Sequence, residues 1–109
     1  MAHRAVDIAS DKQALDILLL DIKGICSFAD YFVICSGESD RQLKAILESI
    51  EETLRKEARL KLRHEGDVDT GWVLLDGGDV VIHIFSPEQR HFYQLEELWG
   101  KATPVLRIQ

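Results

Sequence analysis

WVLLDGGDVVIHIF, residues 72–85, is the stretch of sequence that decides the fold. Two runs of aliphatic, β-branched and aromatic residues, 72–75 and 80–85, flank the polar sequence DGGD. Such runs predict β-strands, and a Gly-Gly pair suits a two-residue turn because both central residues can take positive φ. The stretch is therefore predicted to form a β-hairpin that turns at Gly77 and Gly78.

This turn would place Trp72 opposite His83 and give the hairpin two different faces. Directly opposed residues share a face. One face would carry Trp72, Leu74, Val81, His83 and Phe85, and the other would carry Val73, Leu75, Val80, Ile82 and Ile84. The aliphatic face is predicted to lie under helices. The aromatic face has two open interpretations, an interface for a partner or a second covered layer of a mixed sheet.

The strongest helix signal lies upstream of the hairpin, in residues 39–59. Apolar residues recur there at helical spacing, and Ser39 with Gln42 fits the capping-box pattern. The apolar stripe consists of Leu43, Ile46, Leu47, Ile50, Leu54 and Ala58. This segment is predicted to be an amphipathic helix packed against the sheet.

The remaining elements complete an α/β domain. Residues 2–12 predict a short helix, 16–21 and 31–36 predict strands, 60–64 an edge strand and 65–71 an acidic loop. Ser86 and Pro87 open a last helix with Phe92, Leu95, Leu98 and Trp99 along one side. The order α-β-β-α-β-β-β-α predicts a mixed five-stranded sheet with helices packed on it.

Length and composition describe an ordinary globular domain spanning residues 1–109. Hydrophobic residues make up 46% and charged residues 29% of the chain, which excludes disordered and fibrous classes. The longest apolar run, 31–35, is far short of the ~18 residues that a membrane span needs. The N-terminal residues lack the apolar stretch of a signal peptide, so we expect a cytoplasmic protein without membrane contact.

The charge balance argues against direct nucleic-acid binding. Thirteen Lys and Arg against nineteen Asp and Glu give a formal charge of −6, whereas phosphate neutralisation dominates nucleic-acid affinity. Residues 66–85 contain four aspartates and no Lys or Arg. An acidic stretch that also holds a tryptophan suits a basic protein partner.

Motifs for catalysis are weak. Asp67 and Asp69 form a DxD pair that, with Asp76, could hold a metal ion for nucleotidyl or phosphoryl transfer, but acidic loops commonly have this composition. No phosphate-binding glycine motif accompanies them. Cys26 and Cys35 do not fit a CxxC or zinc spacing, and Cys35 is predicted to be a reduced core residue rather than a nucleophile paired with His83. We expect no metal, no cofactor and no catalytic residue.

Two long blocks resemble the ribosomal silencing factor family, also called the Iojap family. The first is DYFVICSGESDRQ, residues 30–42. The second runs from GWVLLD, 71–76, through GDVVIHIF, 78–85, to RHFYQLEELW, 90–99. The resemblance covers residues 2–102, nearly the whole chain.

The resemblance implies a nucleotidyltransferase-like architecture in proteins not known as enzymes. It implies binding to the large ribosomal subunit through its ribosomal protein number fourteen, which blocks subunit joining and represses translation. Organellar relatives act in large-subunit assembly, and members are often homodimers. Trp72 and Tyr93 match positions implicated in ribosome contact, and His83, Asp79 and Arg90 lie in the same blocks.

A homodimer is also suggested by the residues themselves. Phe92, Trp99, Val105, Leu106 and Ile108 exceed what one small helical layer can cover. A two-fold dimer would bury them against their own copies, although packing within one chain is the alternative.

Overall fold

The computed structural model describes residues 2–59, 62–93 and 103–108, with the backbone alone at Phe92 and Tyr93. Within these residues, three helices and six strands follow one another as α1 (Ala2–Asp11), β1 (Leu15–Asp21), β2 (Tyr31–Ser36), α2 (Asp40–Ala58), β3 (Arg63–Asp67), β4 (Trp72–Asp76), β5 (Val80–Phe85), α3 (Pro87–Tyr93) and β6 (Thr103–Ile108). A short 3₁₀ helix, Val68–Thr70, joins β3 to β4.

The strands form one mixed sheet in the order β3-β4-β5-β2-β1-β6. The central pair, β2 and β5, is parallel, and the other neighbours are antiparallel. The mixed α/β fold is therefore confirmed, but the sheet has six strands rather than five. Sequence reasoning missed β6 because Pro104 interrupts its pattern, and β6 is an edge strand, where a missing N–H group is tolerated.

Helix α2 forms as its pattern predicts. Ser39 caps it by accepting a hydrogen bond from the Gln42 backbone N–H at 3.1 Å. The Gln42 side chain accepts from the Glu38 N–H at 2.7 Å and donates to the Gln13 carbonyl at 2.7 Å, which ties the start of α2 to the segment after α1. Its apolar stripe is buried from Leu43 to Leu54, whereas Ala58, the last predicted member of the stripe, is exposed in the final turn.

Both faces of the sheet are covered. The aliphatic face of β4 and β5 packs with α1 and α2 in the larger core, as predicted. On the other face, Val81 and Phe85 belong to a second apolar cluster with residues of β1 and β2, and Trp72 packs at its border. The covered-layer interpretation of the aromatic face is therefore confirmed, with Trp72 as its half-exposed edge.

The hairpin register differs from the predicted one. Trp72 pairs with Phe85, not with His83, and Gly77 donates to the Val80 carbonyl at 2.9 Å, so the turn residues are Gly78 and Asp79. Gly78 takes φ +86°, and the Asp76 carboxylate accepts from its N–H at 2.8 Å, which stabilises this turn. Because the offset is two residues, both faces keep their predicted members.

The edge of the sheet also departs from prediction. The edge strand β3 covers Arg63–Asp67, and residues 60 and 61 of the predicted strand 60–64 lie outside the described residues. The predicted loop 65–71 begins as strand and continues as the 3₁₀ helix. Gly66 takes φ +76°, and a Cβ there would lie 2.4 Å from the Trp72 carbonyl oxygen. Glycine therefore permits the close approach of β3 to β4, a tertiary constraint that local patterning does not reveal.

The last predicted helix is described only in part. Ser86 caps α3 by accepting from the Gln89 N–H at 3.3 Å, as predicted. The expected stripe residues Leu95, Leu98 and Trp99 lie outside the described residues, as does the side chain of Phe92. Within the described ranges, no helix has both the length and the apolar character that a membrane crossing requires.

Candidate partner-binding surface

Trp72 begins β4 at one corner of the sheet and is half-buried. Its ring stacks on Phe85, which is its partner across the ladder, with centroids 5.1 Å apart and planes inclined by 26°. Its indole Nε1–H donates to Nδ1 of His83 at 3.3 Å. These two contacts hold one side of the indole against the sheet.

His83 lies inside the sheet, 4% exposed. Phe32 meets the imidazole edge to face at 4.8 Å, and Phe85 lies parallel to it at 6.1 Å. Burial lowers the pKa of His83 to about 4, so the ring is neutral near pH 7. Its Nε2 has no hydrogen-bond partner within the described part of the chain.

Arg90 is also buried, at 6% exposure, and its contacts are internal. Its guanidinium donates to the Asp16 carbonyl and to Ser36 Oγ, the latter at 3.1 Å, and lies 3.4 Å from the Asp16 carboxylate. These bonds join α3 to the start of β1 and the end of β2. Arg90 therefore positions α3 beside the corner that holds Trp72.

A cavity and an acidic groove lie at the corner of the sheet that holds Trp72. An open cavity of about 280 Å³ is lined by Trp72, Leu74, Glu65 and Gln89, together with Gly66 and Thr70. An adjoining groove of about 400 Å³ shares Thr70 and Gln89 with it. Its acidic lining residues are Glu38, Asp40, Asp69 and Glu88, and none of its described lining residues is Lys or Arg. We call this corner, with Trp72 and Glu65 of the cavity and the four carboxylates of the groove, the Trp72 surface.

Asp79 lies away from the Trp72 surface. It occupies the hairpin turn, roughly 20 Å along β5 from the strand end that pairs with Trp72. Its carbonyl accepts from the N–H groups of Asp30 and Tyr31 at 2.7 and 3.0 Å. The acidic stretch 66–85 is thus divided between two ends of the sheet, which corrects the expectation of a single acidic patch.

Tyr93 closes α3, which starts next to the Trp72 surface because the Ser86 N–H donates to the Gly71 carbonyl at 2.8 Å. The structure does not describe the Tyr93 side chain. Of the five predicted contact residues, Trp72 and His83 touch each other, Arg90 and the Tyr93 backbone lie on the adjacent helix, and Asp79 stands apart.

The aspartates that could have formed a catalytic metal site do not come together in the fold. The Asp67 carboxylate accepts from the Thr70 N–H at 3.2 Å and caps the 3₁₀ helix, while Asp76 lies at the other end of β4. No group of three or more potential metal ligands occurs among the residues that the structure describes. A metal site shared by Asp67, Asp69 and Asp76 is therefore ruled out by their separation along β4.

A nucleophile–base pair of Cys35 and His83 is also excluded by the fold. Cys35 pairs with Ile84 and His83 with Ile34 across the parallel strands, so the two side chains project from opposite faces of the sheet. Cys35 is fully buried, and burial raises its pKa to about 12. It is the core residue that its apolar context predicts, and both cysteines are free.

The contact of Phe32 with His83 and the internal hydrogen bonds of Arg90 were not predicted. Phe32 comes from β2, and its contact with His83 depends on the parallel β2–β5 pairing, which no local pattern encodes. Arg90 is a charged residue in a helix, and such residues are usually solvated. Only the tertiary partners Asp16 and Ser36 reveal its burial.

A half-buried tryptophan beside an acidic groove at the corner of a mixed sheet is typical of a small protein-binding domain. A family model described as "Ribosomal silencing factor during starvation" matches residues 1–109. The chain belongs to the ribosomal silencing factor family.

Individual relatives agree with this family. "Ribosomal silencing factor RsfS" of Bacillus subtilis is 45% identical over 98 residues, which are 90% of this chain and 83% of that protein. "Mitochondrial assembly of ribosomal large subunit protein 1" of Mus musculus is 34% identical over 100 residues, 86% of this chain and 42% of that protein. A crystal structure of a protein from Chromobacterium violaceum matches with a TM-score of 0.83 at 34% identity, covering 92% of this chain and 87% of that one.

Proposed function

We propose that this protein is a cytoplasmic translational repressor that binds the large ribosomal subunit through its ribosomal protein number fourteen and blocks subunit joining. The Trp72 surface carries the proposal. A half-buried tryptophan that contacts Phe85 and His83 and shares its cavity with Glu65, next to an acidic groove, is suited to anchor a basic protein. Membership of a family named for ribosomal silencing supports the ribosome as the target.

Electrostatics favour a protein contact over ribosomal RNA. The chain carries a formal charge of −6, and the groove beside Trp72 is lined by Glu38, Asp40, Asp69 and Glu88. RNA phosphates would be repelled by this surface, whereas the Lys and Arg side chains of a basic ribosomal protein would be attracted. Binding would therefore be directed to a protein-rich site on the subunit.

The proposed mechanism is steric and needs no catalysis. The chain measures 34 × 33 × 23 Å. A rigid body of that size on the joining face would occupy space that the small subunit needs. The expected action is stoichiometric, with one bound copy per blocked subunit and no cofactor.

Sedimentation of purified subunits with the protein tests this function. We expect the protein to migrate with the large subunit, to be absent from the small-subunit fraction, and to reduce the joined-ribosome peak in proportion to its occupancy. Joined ribosomes that form normally while the protein remains bound to the large subunit would refute the blocking mechanism. Absence of binding would refute the proposal as a whole.

A second candidate function is assembly of the large subunit without silencing. The printed name of the mouse relative, a mitochondrial large-subunit assembly protein, is the observation that favours it. Cells lacking the protein should then accumulate incomplete large subunits during normal growth. A silencer without an assembly role predicts complete large subunits in those cells and excess joined ribosomes on starvation.

We also propose self-association. Val105 and Ile108 of the edge strand β6 are 45% and 37% exposed, and an edge strand offers unpaired backbone groups to a second copy. Of the other residues that suggest a dimer, Leu106 packs against the larger core of its own chain, and the side chains of Phe92 and Trp99 lie outside the described residues.

A further inference from the structure

We propose that three arginines at the far end of α2, Arg55, Arg59 and Arg63, form a second contact with the large subunit, made to phosphate groups of its ribosomal RNA. We call these three residues the arginine patch. The inference rests on the proposed function and deepens it, because it adds a second kind of partner group to the binding of the large subunit. The observations are the exposure of the arginines, the pairing of the neighbouring carboxylates and the backbone conformation of Arg59.

Basic residues are concentrated in one short stretch of an acidic chain. Residues 55–63 contain five Lys and Arg and one acidic residue, Glu57, whereas the whole chain carries a formal charge of −6. Lys61 belongs to this stretch but lies outside the described residues, so it is not assigned to the patch. A net charge averages over the whole surface and does not describe this end of the molecule.

The carboxylates of α2 nearest the patch already have cationic partners. Glu57 accepts two hydrogen bonds from the Arg4 guanidinium, at 3.1 and 2.9 Å. Glu52 accepts from Lys56 at 2.8 Å, and this hydrogen bond lowers the pKa of Glu52 more than the charge of Arg55 does. The positive charge of the patch is therefore not cancelled by these acidic residues.

The three arginines lie close together and are exposed to solvent. Arg55 and Arg59 are four positions apart at the end of α2, where such residues are neighbours. Arg63 begins β3, and four residues of chain cannot place it more than about 14 Å from Arg59. Its side chain is 77% exposed and lies 3.6 Å from the Glu65 carboxylate. Guanidinium groups bind phosphate oxygens in a bidentate manner, so an exposed group of three suits an RNA backbone.

The backbone at Arg59 is a separate reason to assign it a binding role. Arg59 is the C-cap of α2 and takes φ +51°, in the left-handed region that favours glycine. Within the described part of the chain, its side chain makes no hydrogen bond or ion pair that would require an arginine. The helix dipole explains a basic residue at Arg55 but not at Arg59 and Arg63, which follow the helix. A charged residue that folding does not require, at a position suited to glycine, is typical of a binding surface.

The patch and the acidic groove lie at opposite ends of α2. Asp40, the first residue of the helix, lines the groove, and a helix of 19 residues is roughly 28 Å long. RNA phosphates that the Trp72 surface repels would be attracted at this end. A single bound orientation can therefore place the acidic end against a basic ribosomal protein and the arginine patch against RNA.

A double variant, Arg55→Gln with Arg59→Gly, removes two of the three arginines. Lys44→Gln is the matched control, because Lys44 is exposed and lies about three turns earlier on the same side of α2. The readouts are the affinity for purified large subunits between about 50 and 200 mM salt and the melting temperature. We expect the double variant to bind roughly tenfold more weakly at the lower salt concentration.

The salt dependence identifies phosphate contacts. Loss of two such contacts should lower the slope of log affinity against log salt by about 1.5, so the tenfold difference should shrink roughly eightfold at the higher salt concentration. Lys44→Gln should keep the parental affinity and slope. Arg59→Gly alone should bind more weakly and melt no lower than the parent, because glycine suits the backbone there. Parental affinity and slope in the double variant, or an equal loss in Lys44→Gln, would overturn the inference, as would an Arg59→Gly variant that melts well below the parent.

Photo-crosslinking identifies the molecule that the patch contacts. Benzoylphenylalanine in place of Lys56, next to Arg55, keeps all three arginines and should crosslink to ribosomal RNA. A crosslink to a ribosomal protein alone, or none in the bound complex, would overturn the inference. A parent that does not bind large subunits would refute the proposed function and this contact together, whereas normal binding that the double variant leaves unchanged would refute the contact alone.

Discussion

Truncation of the anchor, Trp72→Ala, separates a binding residue from a core residue. The substitution removes the stack on Phe85 and the hydrogen bond to His83 at a half-buried site. A fully buried tryptophan costs ~3–5 kcal/mol on truncation, so partial burial predicts a cost of roughly 1–2 kcal/mol here. For a domain of this size, that corresponds to a fall in melting temperature of about 5–15 °C.

The expected effect on binding is larger than the effect on stability. Tryptophan anchors at interfaces commonly cost ~2–4 kcal/mol of binding energy when truncated. This range corresponds to a roughly 30- to 1,000-fold loss of affinity for the large subunit. The assay is displacement of labelled parent protein from purified large subunits, at a temperature at which circular dichroism shows every variant to be folded.

Val73→Ala is the matched control for Trp72→Ala. Val73 is the next residue of β4, it is 1% exposed, and it faces the opposite core under the helices. It should lose a similar or larger amount of stability, roughly 1–3 kcal/mol, and keep near-parental affinity. The reasoning is refuted if folded Trp72→Ala binds as the parent does, or if Val73→Ala loses as much affinity as Trp72→Ala.

Four further predictions concern stability, charge and association. Because burial lowers the pKa of His83 to about 4, the unfolded chain binds more protons than the folded chain between that pH and 6.5, so stability falls on acidification. We expect the parent to lose about 2 kcal/mol from this residue between pH 7 and pH 5, and His83→Asn to lack that loss, as measured by urea unfolding. Arg90→Leu should cost about 2–3 kcal/mol because its charged hydrogen bonds to Asp16 and Ser36 are lost, and unchanged urea unfolding would contradict this role. Glu65→Lys should slow association with large subunits roughly three- to tenfold at low salt. Asp11→Lys, at the exposed end of α1, is the control and should associate as fast as the parent. Equal association rates in the two variants would exclude electrostatic steering by the Trp72 surface. Light scattering at micromolar concentration should give about twice the chain mass of 12.4 kDa, and Val105→Glu should return it towards one chain; a parent mass of one chain would refute self-association.

Local sequence patterns were sufficient to predict the elements whose limits are set by their own residues. The stripe from Leu43 to Leu54 and the cap at Ser39 predicted α2 closely, because an amphipathic helix with a side-chain cap encodes its own limits. The face assignment of the hairpin also survived the error in its register. Strand alternation has a period of two, and the turn moved the pairing by two residues.

The errors arose where distant residues decide the local structure. The close approach of β3 to β4 depends on Gly66 beside the Trp72 carbonyl, and β6 forms by pairing with the edge of β1. For the candidate surface, sequence reasoning found Trp72 and His83 on one face but could not show that one is half-exposed and the other buried. His83 is buried in part by Phe32, which lies on β2, the parallel neighbour of β5. A short window of sequence does not encode this pairing of distant strands.

Site-specific photo-crosslinking from the Trp72 surface tests the central claim most directly. Gln89 lines the cavity beside Trp72, so a benzoylphenylalanine in its place would lie against the partner. Arg55, exposed near the end of α2 on the other side of the sheet, is the matched control position. With purified large subunits, we predict a crosslink from position 89 to ribosomal protein number fourteen and none to that protein from position 55. A crosslink from position 89 to ribosomal RNA or to a different ribosomal protein, or equal crosslinks from the two positions, would contradict the account.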